Sequence, residues 1–267
     1  MVRQVTAFSN PTVKLLRSLR DKKARRSEGL FLAEGLRILM EAKDSGRLPE
    51  IIAFSPEGAK HPLAAEIIAA AEAAGGDAIE TSAEILSKMS GKDNPQMVLG
   101  AYRQPDTSLD RLNRTKAPLW IVVQALRDPG NIGTILRTGD AVGAGGLILI
   151  DDCADPFSVE AVRASMGAQF TQEIATARWP EFIAWMRSAD GQLVGTSLKA
   201  THDYLDAEYL QPCFLLIGNE QQGLPPDYEA ECDLLVKIQM AGRADSLNAA
   251  MATAVMAFEI VNQWRRG

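Results

Sequence analysis

Three short segments in the C-terminal half carry the side chains best suited to chemistry. They read N-I-G-T-I-L-R (131–137), G-N-E-Q-Q-G-L (218–224) and I-Q-M-A-G-R-A-D-S-L-N (238–248). Each comes shortly after an apolar run and combines glycine with amide, carboxylate, guanidinium or hydroxyl groups. Open α/β sheets place their ligand-binding groups beyond the carboxyl ends of the strands, so these segments predict one site built from three turns.

The first segment follows a tight Asp128-Pro129-Gly130 turn and predicts a helix that is capped by Asn131. Arg137 lies between one and two helical turns further on, and its apolar neighbours predict that it faces the carboxyl end of the sheet. A capped helix with a surface arginine is the structural alternative. The segment is neither a dinucleotide-binding glycine fingerprint nor a P-loop.

The second and third segments add a carboxylate and a second amide. Gly218 allows a backbone to approach a ligand closely. Glu220 follows a buried strand, where an unpartnered carboxylate is costly, so we predict that it accepts hydrogen bonds from an arginine or from backbone amides. Asp245 or Ser246 is predicted to cap the last helix, which would place Asn248 in its first turn.

The elements that must position these segments read as an α/β fold. Buried parallel strands are predicted at 119–123, 146–150, 192–196, 213–217 and 233–238, and helices at 131–142, 158–165, 180–188 and 246–264. Residues 29–103 alternate short apolar runs with helical stretches and predict a separate small α/β domain. The polar stretch 104–118 predicts a linker to the unit at 119–267.

Basic residues are concentrated at the N-terminus. The chain of 267 residues has a net charge of −6, yet residues 1–26 hold eight basic side chains and one acidic one. We predict a basic helical arm over 1–28 that contacts a polyanion, with a solvated helix face as the alternative. The helix would begin at Asn10-Pro11. The candidate contacts are Arg17, Arg20, Lys22, Lys23, Arg25 and Arg26.

Composition excludes several other classes of protein. The three cysteines are widely spaced and form no C-x-x-C pair, so we expect neither a metal site nor a disulfide framework. The sequence has no secretory signal and no apolar run that could cross a bilayer, and we therefore expect a cytoplasmic protein. His61 and His202 lie in polar contexts outside the three segments, where a solvated histidine is expected.

The three segments resemble the motifs of the SpoU (TrmH-type) branch of the SPOUT RNA methyltransferases. The matching positions are Asn131, Gly133 and Arg137 in the first motif, Gly218, Glu220 and Gly223 in the second, and Ile238, Ser246, Leu247 and Asn248 in the third. They occur in order over about 119–264. The N-terminal part resembles the family's ribosomal-protein-like substrate-binding domain through F-L-A-E-G-L-R and D-N-P-Q-M-V-L-G-A.

The resemblance implies a SPOUT domain with a parallel sheet and a deep trefoil knot, and a homodimer with the active site near the subunit interface. It implies S-adenosylmethionine as the cofactor and RNA as the partner. By motif position, the cofactor would contact Gly218, Ile238 and Leu247, with Thr196 as an addition at the end of its own strand.

The implied reaction is methyl transfer to a ribose 2′-hydroxyl of RNA, and the family assigns the catalytic role to Arg137. A guanidinium stays protonated in proteins, so we expect Arg137 to position the ribose and stabilise the developing alkoxide. A role as base would require strongly perturbed surroundings. Asn131 and Asn248 would orient the loop and the substrate, and Glu220 would hold Arg137 or the loop. Ser246 is a further polar contact.

Three other functions stay open at this point. The chain could be a non-catalytic paralogue that binds RNA and cofactor, or a SPOUT enzyme that methylates a base. An α/β pattern alone would also suit a flavodoxin-like or dinucleotide-binding oxidoreductase, although the glycine fingerprint is missing. The additional N-terminal domain favours ribosomal RNA over transfer RNA.

Overall fold

The computed structural model describes residues 2–266, which form two compact units. The first unit comprises residues up to 105 together with 155–171, and the second comprises 106–154 together with the residues from 172 onwards. Residues 155–171 therefore belong to the first unit although they interrupt the sequence of the second. The prediction of a single division at 104–118 did not assign residues 155–171 to the first unit.

The first half of the chain alternates short helices and strands. They are β1 (Arg3–Val5), α1 (Pro11–Ser18), α2 (Lys22–Glu28), β2 (Leu30–Glu34), α3 (Leu36–Asp44), β3 (Ile51–Phe54), α4 (Pro56–Lys60), α5 (Pro62–Ala73), β4 (Asp77–Thr81), α6 (Ala83–Ser90) and β5 (Val98–Arg103). The strands form a mixed sheet in the order β1-β4-β3-β5-β2, with β5 antiparallel to both of its neighbours.

The basic N-terminal segment is part of this unit and not a separate arm. β1 pairs with β4 at the edge of the sheet, and Val13, Leu16 and Leu19 are buried in the core. The predicted Asn10 cap is present, because its side chain accepts a hydrogen bond from the Thr12 amide. The single helix expected to begin at Asn10-Pro11 is divided in two, since Asp21 caps a new helix, α2.

The second half supplies the elements of the larger sheet. They are β6 (Leu119–Gln124), α7 (Pro129–Val142), β7 (Gly146–Ile150), α8 (Val159–Ser165, in the first unit), β8 (Glu173–Ala177), α9 (Trp179–Arg187), β9 (Gln192–Thr196), β10 (His202–Asp203), β11 (Cys213–Ile217), α10 (Pro226–Glu231), β12 (Leu234–Lys237) and α11 (Ala249–Arg266).

The strands of the second unit form a parallel sheet in the order β10-β12-β9-β11-β6-β7-β8. The carboxyl ends of all of its strands therefore lie along one edge. The five predicted strands are present as β6, β7, β9, β11 and β12, whereas the edge strands β8 and β10 were not predicted. Across residues 2–266, every helix falls short of the length or apolar character that a bilayer span requires.

The expected linker is packed against the second unit. Its two short 3-10 turns, Leu109–Arg111 and Arg114–Lys116, precede β6. Leu109 and Leu112 are buried in the same core as Trp120, Phe182 and Phe214. The stretch is therefore a structural part of the second unit and not a solvated connection.

Arg25 does not belong among the predicted RNA contacts. Its side chain is 3% exposed and forms an ion pair with Asp155 at 2.6 Å. The same guanidinium donates to the carbonyl oxygens of Leu19 and Arg20, at 2.9 and 2.8 Å. Because its nitrogens are already bonded to the protein, Arg25 ties α2 to residues 155–171 and cannot meet a phosphate.

We expect Asp155→Ala to lower the free energy of unfolding by about 3–5 kcal/mol, because it leaves a buried guanidinium without its carboxylate. Chemical denaturation measures the change. Glu50→Ala is the matched control, since it removes a carboxylate from Arg103, in a pair whose side chains are 64% and 40% exposed. The control substitution should lower the free energy of unfolding by no more than about 1 kcal/mol. Equal destabilisation of the two variants would contradict a structural role for the buried pair.

Candidate active site

The loops that follow β9, β11 and β12 enclose a cavity of about 400 Å³ at the carboxyl edge of the parallel sheet. All four residues predicted to contact a cofactor line it, namely Thr196, Gly218, Ile238 and Leu247. Glu220 and Ser246 also line the cavity, whereas Asn131, Arg137 and Asn248 do not.

A chain of side-chain hydrogen bonds joins the three motif segments. The Asn131 Nδ2 donates to Glu220 Oε1 at 2.5 Å, and the Asn248 Nδ2 donates to Asn131 Oδ1 at 3.1 Å. The side-chain nitrogen of Asn131 thus bonds the second segment, and its side-chain oxygen bonds the third. The side-chain amide of Asn131, on α7, therefore lies between the loop after β11 and the start of α11.

Asn131 is free to bridge because it does not cap its own helix. Asp128 is the N-cap of α7, and its Oδ1 accepts from the amides of Gly130 and Asn131 at 2.6 and 3.4 Å. Pro129 then occupies the first helical position, which needs no N–H donor. The prediction that Asn131 caps the helix was therefore wrong by three residues.

Asn248 caps the last helix, in place of the predicted Asp245 or Ser246. Its Oδ1 accepts from the amides of Ala250 and Met251, at 2.9 and 3.4 Å. Its Nδ2 remains available for Asn131. One amide side chain therefore fixes the start of α11 and links it to α7.

Gly218 is required by the backbone of its own loop. A Cβ at this position would lie 2.4 Å from the carbonyl carbon of Gly223 and 2.5 Å from the Leu224 nitrogen. The turn closes with a hydrogen bond from the Gly223 amide to the Asn219 carbonyl, at 2.9 Å. The close approach predicted for Gly218 is thus made by the protein backbone.

Asn219 is a residue of the cavity lining that the sequence reasoning missed. Its Nδ2 donates to the carbonyl oxygen of Ala125 at 2.9 Å and so ties the second segment to the end of β6. Ala125 has a φ of 50°, an uncommon value for a residue with a side chain. The sequence carried one sign of this role, an amide placed directly between Gly218 and Glu220.

Arg137 stands apart from the hydrogen-bonded segments. It is exposed on α7, and no ion pair or hydrogen bond joins its side chain to any other residue within 2–266. Six residues separate it from Asn131, which amounts to about 9 Å along the helix axis. The partner of Glu220 is therefore the side-chain amide of Asn131 on α7, in place of the predicted arginine or backbone amides.

Asp151 supports the helix that follows the second segment. It accepts from the Tyr228 hydroxyl at 2.8 Å and from the Trp179 amide at 3.1 Å. The rings of Trp179 and Tyr228 are stacked, with centroids 3.9 Å apart. Burial and the hydrogen bond to Asp151 raise the pKa of Tyr228 to about 12, so its hydroxyl stays a donor at neutral pH.

The lining of the cavity suits a ligand with apolar, cationic and anionic parts. Leu198, Ile238 and Leu247 offer apolar contacts. Carboxylates are present at Glu220, Glu229 and Asp245, and ammonium groups at Lys199 and Lys237. A nucleoside that carries a sulfonium and an amino-acid group presents the complementary chemistry. Within residues 2–266, His, Cys, Asp and Glu side chains form no cluster able to hold a metal ion.

Comparison with known families agrees with this geometry. Residues 118–258 match the SpoU rRNA Methylase family, and residues 10–100 match the MRM3-like substrate binding domain. The chain belongs to the SpoU rRNA Methylase family. The family predicted from the three motifs, its methyltransferase class and the N-terminal substrate-binding domain are thereby confirmed.

Several relatives align with this SpoU chain over nearly its whole length. It is 40% identical to an AdoMet-bound rRNA methyltransferase from Sinorhizobium meliloti, with a TM-score of 0.91 and 98% of each chain covered. It is 33% identical to a 23S rRNA uridine 2′-O-methyltransferase from Streptomyces viridochromogenes, over 91% of this chain and 86% of the relative. A 23S rRNA guanosine 2′-O-methyltransferase from Bacillus subtilis is 26% identical, over 97% and 99% of the two chains.

We expect Gly218→Ala to weaken binding of S-adenosylmethionine by about 5-fold to 150-fold, because the added carbon forces the loop to shift at a cost of about 1–3 kcal/mol. Isothermal calorimetry measures the affinity. Gly242→Ala is the control, because a Cβ at Gly242 meets no atom within 4 Å. If both variants bind the cofactor with the affinity of the unaltered chain, the close packing at Gly218 does not determine the shape of the cavity.

Proposed function

We propose that this chain transfers a methyl group from S-adenosylmethionine to a ribose 2′-hydroxyl of ribosomal RNA. The observation that carries the proposal is the hydrogen-bonded junction of Asn131, Glu220 and Asn248 beside the cavity. Relatives that align over nearly the whole chain are named for 2′-O-methylation of 23S rRNA, one at a uridine and one at a guanosine. These names support the class of RNA and leave the nucleotide open.

The cofactor would occupy the cavity between the second and third segments. Gly218, Ile238 and Leu247 would contact it, mostly through backbone groups, with Thr196 as an addition. The carboxylates of Glu220 and Glu229 favour a positively charged sulfonium. When bound, S-adenosylmethionine supplies an electrophilic methyl carbon.

Arg137 would act on the RNA and not on the cofactor. Its guanidinium is exposed and pairs with no carboxylate among residues 2–266, so it can bind a phosphate beside the target ribose. Its guanidinium charge would lower the energy of the alkoxide that develops on the 2′-oxygen, while the hydroxyl proton passes to solvent and the methyl group leaves the sulfonium for that oxygen. The exposure of Arg137 favours this positioning and electrostatic role over a role as base.

The other predicted site residues would hold the geometry of the transfer. Asn131 and Asn248 would orient the loop and the substrate, and Glu220 would fix the Asn131 amide. Ser246 lies on the cavity wall and would give a further polar contact. Correct alignment of the attacking oxygen with the methyl carbon supplies much of the rate in such displacements.

The product distinguishes ribose methylation from base methylation. We expect incubation of the protein with labelled S-adenosylmethionine and unmodified 23S rRNA to yield a single 2′-O-methylnucleoside, identified by mass spectrometry of the digested RNA. A methylated base would support the alternative reaction. Absence of any incorporated label, with cofactor binding intact, would support a non-catalytic paralogue.

We expect Arg137→Ala to lower kcat by about 100-fold to 1,000-fold, because it removes a charge that stabilises the transition state. Affinity for S-adenosylmethionine should not change, since Arg137 does not line the cavity. Single-turnover methylation and calorimetry measure the two quantities. Arg137→Lys is the matched variant, because it keeps the charge without the guanidinium fork. Its kcat should lie between that of Arg137→Ala and that of the unaltered protein. A rate for Arg137→Ala near that of the unaltered protein contradicts the assignment.

We propose further that the chain forms a homodimer with the active site near the subunit interface. Met251, Val255 and Phe258 lie on one face of α11, and Met251 and Phe258 are 62% and 45% exposed. α11 packs against α7, which carries Arg137. An exposed apolar stripe on the helix that packs against α7 suits a second copy of the chain. We also propose that the second unit contains the deep trefoil knot. We propose a cytoplasmic location, where the ribosomal RNA is found.

Phe258→Asp should convert the dimer to a monomer, because the carboxylate would have to be desolvated in an apolar interface. Sedimentation velocity measures the oligomeric state. Leu63→Asp is the control, because Leu63 has a similar exposure of 43% but lies in the first unit. A dimer that persists in Phe258→Asp would place the interface elsewhere.

A further inference from the structure

A cleft on the first unit combines an exposed aromatic ring with basic side chains. It has a volume of about 240 Å³, and its lining consists of Phe8, Val13, Lys14, Arg17, Glu84 and Lys88. Phe8 lies in the turn between β1 and α1 and is 46% exposed. Val13 is buried in the core behind the cleft, whereas Phe8 is not part of that core.

The cations of this cleft are not neutralised by the protein. Lys14, Arg17 and Lys88 are exposed, and none of them forms an ion pair with an acidic side chain in residues 2–266. Glu84 shares the cleft with Lys88 but lies beyond ion-pair distance of it. The cleft therefore presents a net positive charge around an apolar ring.

The positive surface continues beyond the cleft. An adjoining hollow shares Lys14 and Arg17 and adds Ser18, Arg20 and Asp21, so that its three cations outnumber its one carboxylate. The Arg20 guanidinium lies against Gly91, where even a Cβ would come within 2.1 Å of its Cζ. Arg20 is thus held over the C-terminal end of α6, an end that favours a cation. The result is a short basic track that leads away from Phe8.

We propose that this cleft binds one unpaired nucleotide of the RNA, with its base stacked on Phe8 and the adjacent phosphates on Lys14, Arg17 and Lys88. Every base has a flat π face, so an exposed ring flanked by free cations is the chemistry by which proteins hold single strands. The inference rests on the proposed function, because it assumes that RNA is the substrate. It adds a contact in the substrate-binding unit that selects single-stranded over double-stranded RNA.

The ring and the charges together favour RNA over an acidic peptide. A peptide carboxylate would satisfy the cations but would have no flat group to cover Phe8. A stacked base covers the ring and carries its phosphates to the cations at the same time. The proposal therefore makes separate predictions for the ring and for the charges.

The ring is tested by the affinity of a fluorescein-labelled oligouridylate for three full-length variants. Phe8→Leu keeps an apolar side chain but removes the π face, and we expect it to bind roughly 5-fold to 100-fold more weakly. Phe8→Trp should bind at least as well as the unaltered chain, and oligouridylate should quench the added indole fluorescence. Leu63→Ala, an exposed apolar position of the same unit, should bind like the unaltered chain.

The charges are tested by the salt dependence of the same binding. Replacing Lys14, Arg17 and Lys88 with Gln should flatten the plot of log affinity against log salt by about 0.7 for each phosphate that the protein no longer neutralises. Phe8→Leu should leave that slope unchanged. Equal affinity of Phe8→Leu and the unaltered chain overturns the proposal, as does equal binding of duplex RNA or of polyglutamate in the cleft.

Failure of this inference and failure of the proposed function give different results. If the unaltered chain methylates ribosomal RNA and Phe8→Leu binds oligouridylate normally, only the nucleotide cleft is wrong. If Phe8 governs oligouridylate binding and no methyl group is transferred to ribosomal RNA, the cleft stands and the reaction is wrong.

Discussion

The amide side chain of Asn131 is the interaction on which the arrangement of the second unit's loops depends. Its nitrogen donates to Glu220 and its oxygen accepts from Asn248, so one residue joins the turns after β6, β11 and β12. A carboxylate or a hydroxyl in its place would lack either the donor or the reach. The parallel sheet brings the three turns to one edge, and the amide then fixes their mutual positions around the cavity.

The parts of the fold that depend on local chemistry could be predicted from the sequence. Short apolar runs bounded by turn residues gave β6, β7, β9, β11 and β12, because strands buried on both faces read as continuous apolar stretches. Asn10 followed by Pro11 marked the start of α1. The edge strands β1 and β10 escaped prediction because they have only three and two residues, and β8 because its partly exposed residues weaken the apolar pattern.

The errors in the predicted site arise where partners are distant in sequence. Arg25 reads as one cation among several, and only the fold brings it to Asp155, 130 residues away, and buries it. The cap of α7 moved from Asn131 to Asp128 because the aspartate can bond two amides ahead of it. Motif position identified several residues that line the cavity. It could not show that Arg137 lies outside the cavity, or that Asn219 holds one of the cavity loops to the end of β6.

The most direct test of the Asn131 junction is a double-mutant cycle on the affinity for S-adenosylmethionine, measured by calorimetry. The cycle compares Asn131→Ala, Glu220→Ala and the double variant with the unaltered chain. If the hydrogen bond between these residues holds the cavity in shape, the effects will be non-additive, with a coupling of about 0.5–3 kcal/mol. Effects that add to within about 0.3–0.5 kcal/mol would contradict it and would mean that each loop keeps its position independently.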